Sequence, residues 1–117
     1  MQKIVILSLL FLVILPSANA ALVDCGTHEI DLISVQGNRD DNYIHANKLI
    51  LRLKDSGVSV SCNGKLNLFL SNSDPAFNGI LSMLMAAKVA NRKVEVFANS
   101  SVAVDVNTMQ IAWVTIR

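Results

Sequence analysis

The stretch Ser71-Asn-Ser-Asp-Pro-Ala-Phe-Asn-Gly-Ile-Leu-Ser-Met-Leu-Met-Ala-Ala-Lys-Val-Ala-Asn91 decides how this chain is built. Phe77, Ile80, Leu81, Leu84 and Ala87 recur at helical spacing and draw one apolar stripe. Ser73 and Asp74 offer side-chain oxygens to the first free backbone amides, and Pro75 stands where a missing N–H does no harm. Asn91, followed by Arg92 and Lys93, supplies a stop and positive charge at the negative end of the helix dipole. The spacing predicts one helix over residues 74–90. Its other face carries Gly79, Ser82, Ala86 and Ala90, flanked by Met83 and Met85, and no charge falls between Asp74 and Lys88. A surface helix ordinarily presents charge there. Loops half covering the helix would account for this. So would a second subunit seated on small, soft side chains, which makes Gly79, Ser82, Met83, Ala86 and Ala90 the candidate oligomer interface.

Outward from the helix, the pattern is strand. Leu49, Leu51 and Leu53 alternate with Lys48, Arg52 and Lys54, and Asp55-Ser56-Gly57 reads as a turn. Between His28 and Gln36 the apolar parity switches, with Ile30 and Leu32 on one face and Ile33 and Val35 on the other, which predicts a bulge or sharp bend. Val58, Val60 and Cys62 alternate with serines, then Leu66, Leu68 and Leu70 alternate again. Asn63-Gly64 is a hairpin signal, so residues 58–70 are either two strands or one bulged strand. After the helix, Val94, Val96 and Ala98 form a strand that Asn99-Ser100-Ser101 is expected to turn. Val102 to Val106 add a short strand, and Gln110 to Arg117 close the chain.

Residues 1–20 read as a signal peptide rather than part of the fold. Lys3 gives a positive start, Ile4 to Leu15 is a nearly unbroken apolar run, and Ala18-Asn19-Ala20 is a small-residue cleavage site. An uncleaved anchor is the alternative. Taking twenty residues from 117 leaves 97, enough for one small domain over residues 21–117. Lys3 is the only charge lost, so nine basic and nine acidic residues remain and the net charge is zero. That balance argues against nucleic-acid binding and against electrostatic adhesion to an anionic membrane. Export, to the periplasm or beyond the cell, would bring Cys25 and Cys62 into an oxidising compartment. A Cys25–Cys62 disulfide is expected; two buried thiols or a bridge to another chain are the alternatives.

Signals for catalysis are weak: there is no nucleophile elbow, phosphate loop or His-Glu-x-x-His. No catalytic residue, metal ligand or cofactor is assigned. His28 and His45 read as exposed or edge residues, and Asn38 to Asn42 as a solvated turn. Asn99-Ser100-Ser101 matches a glycosylation acceptor, of consequence only in a eukaryotic host. Strand, strand, strand, helix, strand, strand is the connectivity of an OB-fold, a five-stranded Greek-key barrel with one α-helix between strands 3 and 4. A small open α+β sandwich is the alternative. OB barrels bind oligosaccharides or oligonucleotides, and charge neutrality leaves carbohydrate or protein. Tyr43, beside Asp40, Asp41 and Asn42, is the one aromatic cluster with hydrogen-bonding neighbours outside the expected core, and these four are the candidate ligand-binding residues.

The run from Cys62-Asn-Gly-Lys-Leu-Asn-Leu-Phe-Leu through Ser73-Asp-Pro-Ala-Phe to Val94-Glu-Val96 resembles a group of small exported bacterial proteins. The shared pattern is a strand, Ser-Asp-Pro, a helix ending in an Ala-Lys-like turn, a basic residue and a Val-x-Val strand. That group is similar to the B subunit of subtilase cytotoxin and, more distantly, to pertussis-like toxin B subunits. The resemblance implies an OB-fold, a homopentameric ring and binding of host glycans. It covers about a third of residues 21–117, and its motif is structural, so it matches no sugar-contacting position. The toxin subunits often carry more cysteines, one of them near the C-terminus, where Val102–Val106 stands here. The expectation is an exported, non-enzymatic, self-associating protein that recognises glycans multivalently, without nucleic acid or membrane. The alternative is a periplasmic protein–protein interaction module with no toxin role.

Overall fold

The leucines that alternate along residues 48–54 become a strand with one wholly buried face: Leu49, Leu51 and Leu53 are the inward residues of β2. The computed structural model describes residues 22–117, and the candidate signal peptide lies outside the described residues. In chain order the elements are β1 (Leu22–Val35), β2 (Lys48–Asp55), β3 (Val58–Val60), β4 (Asn67–Ser71), α1 (Phe77–Val89), β5 (Val94–Asp105) and β6 (Thr108–Ile116).

The architecture is mainly β with one helix, and its sheet closes into a ring. β1 pairs with β2 on one side and β5 on the other; β5 pairs with β6, β6 with β4, and β4 with β2. Only β4–β6 is parallel. β3 hangs on β2 outside the ring. The five-strand count and the helix position are therefore corrected: the sheet has six strands, five of them in the ring, and α1 lies between the fourth and fifth. The cause is local. Asn63 (φ 50°) and Gly64 (φ 76°) both take left-handed conformations, and Cys62 and Lys65 exchange two backbone hydrogen bonds of 2.8 Å across them. The Asn-Gly turn thus divides residues 58–70 into two strands.

β1 serves both sides of the ring, and it bends to do so. Its register slips between Asp24 and Thr27 against β5, where Gly26 has φ 82°, and between Ile30 and Leu32 against β2. The expected bulge is present, but Ile30 and Leu32 do not share a face as expected: Ile30 and Ile33 face the core while Leu32 is exposed, so the parity switches at Asp31. After the helix the expected turn at Asn99-Ser100-Ser101 does not form. One strand, β5, spans the segment, but Ser100 to Val102 bulge out of the ladder, Asn99 pairing with Gln110 and Ala103 with Met109. Asn99 Nδ2 donates to Gln110 Oε1 at 2.8 Å, a cross-strand bond at the last paired position before that bulge.

The helix packs Ile80, Leu84 and Ala87 into the core, with Phe77 and Leu81 half-buried beside them. It begins later than expected. Asp74 Oδ1 accepts from the Ala76 amide at 2.8 Å, making an Asx turn ahead of the first helical residue rather than a cap. Its end matches the expected stop: Asn91 sits at φ 53°, its amide reaches Lys88 O, and Arg92 N reaches Ala87 O at 2.8 Å, a Schellman turn. Gly79, Ser82, Ala86 and Ala90 lie exposed and Met83 half-buried. Cys25 and Cys62 are joined by a disulfide, with Cα atoms 5.0 Å apart, tying the first bulge of β1 to the turn after β3. No helix among the described residues is long and apolar enough to cross a membrane.

Candidate functional site

Ile50 and Phe69 face each other across β2 and β4. Both are buried, yet neither belongs to the interior cluster, because their parity points them outward from the ring. The long connection 36–47 accompanies them on this outer face. Backbone bonds from Gln36 N to Lys48 O (2.8 Å), Asn47 N to Gly37 O (3.0 Å) and Asn72 N to Asn47 O (2.9 Å) close the base of that loop. Between loop and sheet lies a pocket of about 190 Å³. Leu32 and Ile50 give it an apolar floor, Tyr43 and His45 an aromatic wall, and Ser34, Gln36, Arg52 and Asn67 its polar groups.

Each wall has a physical origin. The Tyr43 ring is held from two sides: the Arg39 guanidinium lies 4.6 Å from its centroid, and the His45 ring meets it edge-on at 5.3 Å. Arg39 Nε donates to Asp41 Oδ1 at 3.0 Å, with a second contact from Nη2 to Asp41 Oδ2. The hydrogen bond from Arg39 holds the Asp41 carboxyl below the usual carboxylate range, and the same bond raises Arg39. His45 is 12% exposed at its side chain, with Nε2 3.4 Å from Asp105 Oδ2. Asp105 Oδ1 accepts from Thr108 Oγ1 and from the Asn107 amide, both at 2.8 Å. These bonds, Thr108 foremost, lower the Asp105 pKa, and the His45 and Lys65 charges add to them. His45 Nδ1 is the one buried side-chain polar atom among the described residues with no hydrogen-bond partner.

Arg52 is the charged member of the pocket. Its Nε donates to Asn67 Oδ1 at 3.1 Å, which fixes the plane of the guanidinium. Its two terminal nitrogens have no partner among the described residues. Gln36 Nε2 donates to Ser34 Oγ at 3.2 Å and its Oε1 accepts from Arg39 Nη1 at 3.1 Å, so the pocket's freest groups are the Tyr43 ring, the Ser34 hydroxyl hydrogen, the Asn67 amide nitrogen and the terminal guanidinium donors, a set that fits a polyhydroxylated ligand.

Of the four candidate ligand residues, only Tyr43 lines this pocket. Asp41 is engaged by Arg39, while Asp40 and Asn42 are exposed on the loop. The histidines, expected as exposed or edge residues, are both largely covered. His28 has Nδ1 2.7 Å from Asp55 Oδ2 and Nε2 2.7 Å from Cys25 O, and His45, on the loop, is covered beside Asp105. Sequence reasoning missed Ser34, Gln36, His45, Arg52 and Asn67. Arg52 read only as one of the outward charges of β2, and nothing local reports that Asn67 comes to it. On β5 and β6, Phe97 and Trp113 stack at 4.0 Å, with Trp113 42% exposed. No group of three or more metal-ligating side chains gathers among the described residues. No family model, curated protein or solved structure matches the chain.

Proposed function

We propose that this chain is an exported, non-enzymatic barrel of the OB type that self-associates and binds glycans through the pocket beneath loop 36–47. The observation that carries the reading is that pocket. Tyr43 supplies a face for the C–H side of a sugar ring, and Arg52, Asn67, Ser34 and Gln36 supply hydrogen-bonding groups around it. The OB assignment rests on the five-strand ring with its single parallel pair β4–β6 and on the helix that connects β4 to β5. Export rests on the apolar leader in the sequence, and the disulfide is compatible with it.

Self-association, in a ring of five on the resemblance, would use the uncharged helix face of Gly79, Ser82, Met83, Ala86 and Ala90, where Met85 and Val89 are also exposed. Several weak sites on one assembly gain avidity without a tight single contact. The test is a glycan array on the folded protein alongside Arg52→Gln and Tyr43→Ala. Wild-type signals that both variants lose support the reading; a blank array for a folded, oligomeric wild type refutes it. Light scattering tests the assembly separately, and a purely monomeric protein overturns that part.

The second reading is an interaction module for another exported protein. Val58, 69% exposed on the short outer strand β3, favours it, because the free side of β3 can accept an added strand. A blank array together with capture of one defined partner, lost on a Val58→Pro substitution, would select it.

A further inference from the structure

Where the helix ends, residues from three elements enclose a second recess of about 90 Å³, about half the volume of the first and sharing no residue with it. Over a small apolar floor it is lined by Glu29 of β1, Lys54 of β2, and Lys88, Asn91 and Arg92 at the end of α1. Three cations thus meet one carboxylate.

Part of this charge has a local explanation. The C-terminal end of a helix carries partial negative charge, which favours Lys88 and Arg92 there. The Schellman turn, however, already satisfies the Ala87 and Lys88 carbonyls from the backbone amides of Arg92 and Asn91. The side chains are left facing the recess. Arg92 uses Nε on Arg117 O at 2.8 Å, and its terminal nitrogens have no partner among the described residues. Lys88 Nζ reaches only Asp31 O, at 3.5 Å. Lys54 comes to the same recess from a strand. It is directly opposite Glu29 in the β1–β2 ladder, yet the two form no ion pair. Lys54 and Arg92 therefore hold donors toward one small space in which the Glu29 carboxylate is the one anionic side chain and is ion-paired to neither.

We propose that this recess binds a small oxyanion, a phosphate or sulfate group. Lys54 and Arg92 are its principal ligands, Lys88 and the Asn91 amide close it, and the Arg92 fork suits two oxygens of one tetrahedral group. Glu29 and the negative end of the α1 dipole oppose the bound charge and keep the affinity modest. This site stands independently of glycan binding in the first pocket.

The test is a titration of the isotope-labelled protein with inorganic phosphate and with sulfate, against chloride at constant ionic strength, followed by amide chemical shifts. Saturable shifts at Lys54, Asn91 and Arg92 are expected, with a Kd on the order of 1 mM. Lys54→Gln and Arg92→Gln each weaken binding about tenfold, and Glu29→Gln tightens it. Melting curves of the three variants verify that they are folded. A response no larger than that to chloride, or one that both cation variants leave unchanged, overturns the proposal. Phosphatidylglycerol vesicles, with phosphatidylcholine as control, separate the sources. Sedimentation with the former that soluble phosphate competes away assigns a lipid headgroup. Binding of soluble phosphate alone assigns a free or ester-linked group.

Discussion

Removing the Cys25–Cys62 bond tests how the chain is tied together. The two cysteines are 37 residues apart. In the chain-entropy account a loop of that size takes about 13 cal/mol/K from the unfolded chain, or about 4 kcal/mol at room temperature. Both residues also belong to the buried cluster, so Cys25→Ala/Cys62→Ala gives up some packing as well. The expected loss is about 3–5 kcal/mol, a large share of the 5–15 kcal/mol typical of a domain. Urea unfolding measures it, with Trp113 fluorescence and far-ultraviolet circular dichroism as independent probes. The denaturant slope should rise, because the untied chain exposes more surface on unfolding. The wild-type protein reduced with a thiol and alkylated should behave like the double variant. A loss under about 1 kcal/mol by both probes would refute the reasoning. It would mean that the bulge of β1 and the turn after β3 stay together in the unfolded chain without the bond.

The remaining expectations are quicker to state. Leu84→Ala, at a fully buried position that seats the helix, should cost about 2–5 kcal/mol in the same urea assay; a loss below about 1 kcal/mol would show that the helix is not anchored there. Gly26 and Gly64 both have positive φ, but a Cβ on Gly26 would come within 2.9 Å of His28 Nε2, whereas one on Gly64 meets nothing within 4 Å. Gly64→Ala should therefore cost about 1 kcal/mol and Gly26→Ala more, about 2–3 kcal/mol, with a disturbed His28 ring signal in NMR spectra; equal costs would contradict the contact. The lowered pKa of Asp105 contributes stability that is present at neutral pH and is withdrawn as pH falls through its folded value, below the ordinary carboxylate range. Asp105→Asn keeps an acceptor for Thr108 and Asn107 without a carboxylate to protonate. The melting-temperature gap between wild type and this variant should close between about pH 6 and about pH 2.5, and a constant gap would refute the assignment.

Which features could be read in advance follows from how far each signal reaches along the chain. The helix stripe of Ile80, Leu84 and Ala87 and the leucines of β2 depend on neighbours a few residues away, and both appear as expected; the Asn-Gly turn is equally local, and of the two arrangements left open for residues 58–70 the structure has two strands. The parity switch in β1 was visible because a bulge leaves its mark inside one strand. The continuation of β5 as one bulged strand was hidden. Asn99-Ser100-Ser101 has turn composition, and what overrides it is Gln110 on the next strand, bonded to Asn99. The pocket was harder still. Tyr43 stood out as an aromatic in a polar stretch, but its neighbours Asp40 and Asn42 turn away with the loop, and Asp41 is claimed by Arg39. Arg52 and Asn67 meet only because β2 and β4 pair, and His45 is covered only because Asp105 arrives from the far end of β5.

The double pairing of β1 also dictates an order of assembly. Its first half needs β5 and its second half needs β2, so the barrel cannot shut until the C-terminal hairpin has arrived. Cys25 and Cys62, by contrast, both precede the helix and can meet while that hairpin is still missing. A chain emerging from its N-terminus would thus acquire its covalent clasp before its walls join. In the interval it would present two open strand borders, on β1 and on β4, each awaiting a neighbour not yet made.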